Sequence, residues 1–219
     1  MSKNAFIFDL DGVIVDTAKF HYLAWKQLAN ELGFDFTEEQ NELLKGVSRV
    51  KSLDILLNIG GVSLDQDKKE QLMFEKNERY LAYVSDLDES EILPGIKDLI
   101  HFLKEKNIPI ALGSASKNAI PILKSLALFD LFDAIVDGND VSNAKPDPEV
   151  FLLAAKQLNV QPKNCFVVED SLAGIQAANS VEMISIGIGE KENLPGADHL
   201  FHLMIDVICW THMVCRYTK

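Results

Sequence analysis

Residues 5–13 read AFIFDLDGV. Four apolar residues, two of them aromatic, run into Asp9. A second carboxylate follows at Asp11, and Gly12 comes next. A short apolar run closed by polar residues is the pattern of a buried strand ending at a turn. A carboxylate is a competent nucleophile toward phosphorus, forming an acyl phosphate. A second carboxyl nearby can take a proton from an attacking oxygen and give one to a leaving oxygen. Gly12 permits the chain to turn tightly behind the pair. Alone, the same string also reads as an acidic turn or a calcium-type loop.

Further along the chain the pattern repeats. Apolar runs at 108–113 (IPIALG), 134–136 (AIV), 165–168 (CFVV) and 184–188 (ISIGI) each end at polar or glycine residues. Helical patterns separate them at 96–106, 119–126, 148–158 and 171–179. Such alternation predicts an α/β fold: a Rossmann-like parallel sheet with helices on both faces. Active sites in such sheets lie beyond the carboxyl ends of the strands. Asp9, Ser114, Asp137 and the pair Glu169-Asp170 all occupy those ends.

Residues 16–91 break the alternation. Four helical patterns, at 17–32, 38–44, 50–58 and 65–84, follow one another with no strand between. That is far more chain than one crossover needs. The stretch reads as an inserted α-helical cap domain. Residues 1–15 and 92–219 form the discontinuous core, and 16–17 and 93–95 are the hinges.

Four carboxylates brought to one sheet edge repel unless a cation sits among them, and an all-oxygen site with room for phosphate suits Mg²⁺. Ser114, within SASKN at 114–118, precedes a helix, so its hydroxyl and nearby N–H groups suit an anion. Lys145, in KPDP at 145–148, can neutralise charge on a transferring phosphoryl group. Read singly, Glu169-Asp170 is also an ordinary helix start, and Lys-Pro an ordinary turn.

Composition narrows the partners. The 219 residues carry a net charge of −12, which disfavours nucleic acid and anionic membrane surfaces. The three cysteines, Cys165, Cys209 and Cys215, fit neither a disulfide framework nor a zinc site. Residues 1–13 are too acidic for a secretory signal, and no apolar run reaches membrane-spanning length. The expectation is a cytoplasmic protein, and a monomer, since no apolar seam stands out.

Taken in order, FDLDGV, the strand ending at Ser114, KPDP and VVEDS resemble the four motifs of the haloacid dehalogenase-like phosphotransferase superfamily. The resemblance covers about residues 4–198. Within the superfamily, the cap strings are similar to those of the β-phosphoglucomutase family. They are Asp16-Thr17-Ala18, His21, Trp25, LKGVSR at 44–49 and Ser52, together with SASKN. The resemblance implies a sugar-phosphate substrate, Mg²⁺ and a phospho-aspartate. Asp9 would be the nucleophile and Asp11 the general acid/base. Mg²⁺ would bind Asp9, the Asp11 carbonyl, Glu169 and Asp170. Ser114 and Lys145 would hold the transferring phosphoryl group.

For the rest of the substrate, the same resemblance implies contacts from His21, Trp25, Gly46, Val47, Ser48, Arg49, Ser52, Lys76, Ala115, Ser116, Lys117 and Asn118. Arg49, Ser116, Lys117 and Asn118 would grip the distal phosphate, His21 would orient Asp11, and Thr17 would sit at the hinge. A small-molecule phosphatase with the same core motifs stays open as the alternative. The tail from 199 onward, rich in His, Cys, Met and Trp, departs from the strand and charged helix expected of the family. It reads as a divergent packing helix or an altered reading frame, away from the chemistry.

Overall fold

A computed structural model describes residues 4–85 and 87–217, with side chains described as far as Thr211. Six parallel strands form one sheet: β1 (Ala5–Phe8), β2 (Ile110–Gly113), β3 (Ala134–Val136), β4 (Cys165–Glu169), β5 (Ile184–Ile188) and β6 (His199–Phe201). Their order is β3-β2-β1-β4-β5-β6. Between β1 and β4 the order reverses direction, and the crevice of a doubly wound sheet opens at that point.

The alternation within β1 explains the layers. Phe6 and Phe8 face one side, packing with α5 (Ile96–Glu105), α6 (Ala119–Ser125) and α9 (Met204–Tyr217). Ala5 and Ile7 face the other, with α7 (Glu149–Gln157) and α8 (Leu172–Asn179). Period-two side-chain direction in a strand covered on both faces demands this continuous apolar run.

Residues between β1 and α5 form α1 (Ala18–Glu31), α2 (Glu38–Asn41), α3 (Arg49–Gly60) and α4 (Gln66–Val84). They carry their own apolar cluster, including Trp25, Leu28, Phe36, Leu53, Leu56 and Leu72. The helix expected at 38–44 stops at Asn41 and tightens into a 3₁₀ turn over Glu42–Leu44. The two links to the sheet run side by side. Val15 and Ile92 form an antiparallel bridge, and Leu93 N–H donates to the Ile14 carbonyl at 2.9 Å.

The tail forms the packing helix that is one of its two readings, and only the expected departure from a closing strand and helix needs correction. It adds the strand and the helix expected of the family, β6 beside β5 and then α9. Met204, Val207 and Thr211 are buried and lie three and four residues apart. That spacing puts them on one helical stripe. The Trp210 ring meets Phe166 edge-on, with centroids 5.8 Å apart. An unusual composition here still supplies helical periodicity. The side chains of His212 and Cys215 lie outside the described residues.

Candidate active site

Strand register builds the centre. Phe8 pairs with Val168, so Asp9 follows β1 level with Glu169, and Asp9 N–H donates to the Val168 carbonyl at 3.0 Å. On the other flank Phe8 pairs with Leu112, which sets Ser114 beyond the end of β2. Three chain-distant motifs thus meet because their strands are neighbours.

Asp9, Glu169 and Asp170 each present an oxygen within 4.8 Å of the others. Burial holds the carboxyl of Asp9 well above its usual range, with Lys145 opposing that rise. Burial lifts Asp170 to about 7, against the pull of Lys45. Closely spaced buried carboxylates and an open face fit a hard divalent cation with oxygen ligands. Gly12 makes the approach feasible. Its φ is +81°, and a Cβ there would fall 2.2 Å from Oδ2 of Asp170.

Lys145 reaches in from the loop before α7. Its ammonium donates to Asp9 at 2.6 Å and also to Glu169. Burial works against its charge, but the two carboxylates carry its pKa above the ordinary lysine value. The other oxygen of Glu169 accepts from the N–H and hydroxyl of Ser171, at 2.9 and 2.7 Å. Ser171 also caps α8 by accepting from Gly174 N–H. Sequence reading passed over Ser171, although a serine immediately ahead of a helical run is a cap signal.

Above the sheet edge, a second polar chain descends from the helices. The Thr17 hydroxyl donates to Asp11 Oδ1. Thr17 stands at the N-cap of α1 but spends its hydroxyl on that carboxylate instead of capping the helix. His21 Nε2 lies 3.7 Å from the same oxygen, and His21 Nδ1 lies 2.6 Å from Lys76 Nζ. Burial, then Lys76 and Arg49, hold the imidazole neutral. With Lys76 protonated, its ammonium can only donate to Nδ1, which puts the imidazole proton on Nε2, facing Asp11. Burial and Arg49 bring Lys76 down to about 7. Its ammonium lies over Trp25 and Tyr80, at 4.8 and 4.9 Å from the ring centroids, a stacking geometry that supports a desolvated cation. Tyr80, which sequence reading did not single out, also stacks on His21 at 3.9 Å.

Sheet edge and helices enclose a cavity of about 530 Å³. Its floor includes Asp9, Asp11, Ser114 and Asp170. Val47, Ser48, Arg49, Ser52, Trp25 and Lys76 line the upper wall, and Ala115, Ser116, Lys117 and Asn118 line the flank. Lys145, Glu169 and Thr17 are buried beside this floor. The loop before α3 comes down onto the sheet domain. Lys45 lies 3.5 Å from Asp170, and Gly46 meets Ser171 so closely that a Cβ would fall 2.2 Å from its hydroxyl. Ser48 accepts from Lys51 N–H and caps α3, fixing the start of the helix that carries Arg49.

A family model for haloacid dehalogenase-like hydrolases matches residues 3–182. The chain belongs to that family. It is 45% identical over 196 residues to a β-phosphoglucomutase of Bacillus subtilis, covering 89% of this chain and 87% of that one. It is 34% identical to a phosphorylated carbohydrates phosphatase of Thermotoga maritima, covering 80% of each. The fold superposes on the crystal structure of a β-phosphoglucomutase from Clostridium difficile with a TM-score of 0.91, at 44% identity over 98% of both chains. The chain is an enzyme, and the phosphomutase class fits the first of these relatives. Among the described residues no helix is long and apolar enough to cross a membrane.

Proposed function

We propose that the protein interconverts β-D-glucose 1-phosphate and β-D-glucose 6-phosphate through β-glucose 1,6-bisphosphate, carrying the phosphoryl group on Asp9. One observation carries this reading. A single cavity has a carboxylate pair at its floor and, elsewhere in its wall, the donors Arg49, Ser116, Lys117 and Asn118. A bisphosphate that must be turned end for end needs two anion sites, and a simple hydrolase needs one. The 45% identity to a β-phosphoglucomutase supports the choice of sugar.

In the phosphorylated enzyme, the C6 hydroxyl of β-glucose 1-phosphate attacks phosphorus. Asp11 takes its proton, and the bond from phosphorus to the Asp9 oxygen breaks. Burial raises the Asp11 pKa even though Thr17 opposes it, which suits a group that must hold a proton between the half-reactions. The bisphosphate reverses. Asp9 then attacks the phosphorus on C1, and Asp11 returns the proton to the departing C1 oxygen. Lys145 and Ser114 receive the transferring group, and Lys145 exchanges its pairing with Asp9 for one with phosphate. Neutral His21, 3.7 Å from Asp11, would orient it through its Nε2 proton when the cap closes.

Asp9, the Asp11 carbonyl, Glu169 and Asp170 would hold Mg²⁺. The clustered acidic oxygens fit it, and when bound it offsets charge between carboxylate and phosphate. Residues 16–91 act as a cap, with hinges at 16–17 and 93–95. Its closure, completed only when sugar phosphate is bound, excludes water while the sugar hydroxyl attacks.

A phosphatase of small sugar phosphates is the second reading, favoured by the relative from Thermotoga maritima. The deciding experiment supplies purified protein with Mg²⁺, a trace of β-glucose 1,6-bisphosphate and each anomer of glucose 1-phosphate in turn. Formation of glucose 6-phosphate from the β anomer is the expected result. Release of inorganic phosphate with no glucose 6-phosphate would replace the mutase by the phosphatase.

A further inference from the structure

Asn77 lies on α4, one residue beyond Lys76, and its side chain spans the two halves of the molecule. The Arg49 guanidinium, on α3, donates to Asn77 Oδ1 at 2.7 Å. The Asn118 amide, on the sheet side, donates to the same oxygen at 3.0 Å. A guanidinium has only donors, so the carbonyl end of the Asn77 amide must face it. The second donor at that oxygen must then be the NH₂ of Asn118. Chemistry, not choice of rotamer, therefore fixes which atom sits at the junction.

The two donors that converge on this oxygen are two of the four groups proposed to grip the distal phosphate. A neutral carbonyl oxygen occupies the place where they meet and does what a phosphate oxygen would do, without the charge. Burial makes the guanidinium charge of Arg49 harder to hold and lowers its pKa from the ordinary value. An oxygen ligand offsets that cost while the site awaits an anion. Asn118 is placed independently, since its N–H donates to the Ser116 hydroxyl at 3.2 Å and shapes the turn before α6. The bond from Asn118 to Asn77 therefore ties a fixed point on the sheet domain to a helix of the cap.

We propose that Asn77 is a positioning residue: its side-chain oxygen draws Arg49 and Asn118 together before substrate binds, so that the distal phosphate enters a site already half assembled and a cap already tied to the core. The proposal deepens the mutase reading and rests on it for the identity of the anion. It also makes a claim about the ligand-free protein that does not depend on turnover. A neutral amide suits the task better than a carboxylate. Aspartate would hold Arg49 more firmly, but it would repel the incoming phosphate at close range.

The test uses the full-length, unphosphorylated protein with Mg²⁺ and two variants, Asn77→Ala and Asn77→Asp. Small-angle X-ray scattering measures cap opening without ligand, and calorimetric titration measures affinity for glucose 6-phosphate. Asn77→Ala should enlarge the radius of gyration and weaken glucose 6-phosphate by about tenfold, as expected for losing one charge-assisted hydrogen bond. Asn77→Asp, nearly isosteric, should keep the compact scattering profile yet weaken glucose 6-phosphate by at least about tenfold. A merely structural role would not separate compactness from affinity in this way. Scattering from Asn77→Ala that matches the parent overturns the proposal, as does undiminished binding by Asn77→Asp. If the parent itself fails to bind glucose 6-phosphate, the mutase reading falls, and the scattering comparison still decides whether Asn77 ties the cap.

Discussion

Lys145 Nζ lies 2.6 Å from Asp9 Oδ1, and the lysine side chain has no exposed surface. A charge so placed is held by the two carboxylates it neutralises, Asp9 and Glu169. Removing one partner of a buried pair leaves the others uncompensated. Lys145→Ala is expected to lose about 3–5 kcal/mol of stability in urea titrations without Mg²⁺, and to lose turnover. A variant as stable as the parent would show that Asp9 and Glu169 share a proton in place of the lysine charge.

Asp9 follows β1 and forms part of the cavity floor. Asp9→Asn preserves shape and removes the carboxylate proposed as the nucleophile. Turnover should fall by at least about a thousandfold, and protein incubated with ³²P-labelled bisphosphate should retain no acid-stable label. Label on the variant would move the phosphoryl carrier to another residue.

Arg49 brings a bidentate donor from the cap. Arg49→Ala should lower kcat/KM for mutase flux by roughly 10–100-fold. Hydrolysis of a minimal phosphoryl donor such as acetyl phosphate, which has no distal phosphate, should change far less. Equal losses with both substrates would place Arg49 at the reacting phosphorus.

Lys76 has a pKa near 7 in the folded protein, against an ordinary 10.5. Between those values the unfolded chain holds a proton that the folded chain has shed. Unfolding then takes up a proton, and stability rises with pH from about 7 toward 10.5. Below 7 both states are charged and the full cost of the buried ammonium remains. Lys76→Met is therefore expected to melt above the parent at pH 6–7, with the gap closing toward pH 10. Thermal melts across that range measure it, and parallel pH curves would mean that Lys76 stays charged throughout.

How much of this was legible beforehand follows from the kind of signal each part leaves. The strands were readable because a strand covered on both faces needs an unbroken apolar run, as in AFIF and CFVV. Asp9, Ser114 and Glu169 were readable because polar residues close those runs. Asn77 and Tyr80 were not, because their roles arise from contacts between elements distant in sequence, whereas the local bonds of Ser171 to Glu169 and Gly174 left a cap signal that went unused. Asn77 meets Asn118 across 41 positions, and no local pattern encodes that meeting. The tail misled for another reason: its unusual residue types obscured an ordinary helical stripe.

That stripe has a measurable worth. Trp210 packs on Phe166 and beside Phe201, with ring centroids 5.8 and 6.0 Å away. Trp210→Ala should destabilise the protein by about 2 kcal/mol in urea, below the range for a fully buried tryptophan because this one is half-buried, while KM stays at the parent value. A changed KM at unchanged stability would connect the tail to the cavity.

The bridge between Val15 and Ile92 means that the chain leaves the sheet and returns to it at nearly the same spot. An insert anchored through so narrow a neck has its own apolar interior and asks little of its host beyond two adjoining attachment points. Lids of different shape can then be exchanged on an unaltered phosphorylation centre, and a lineage can change the sugar it handles without rebuilding the machinery that moves phosphate.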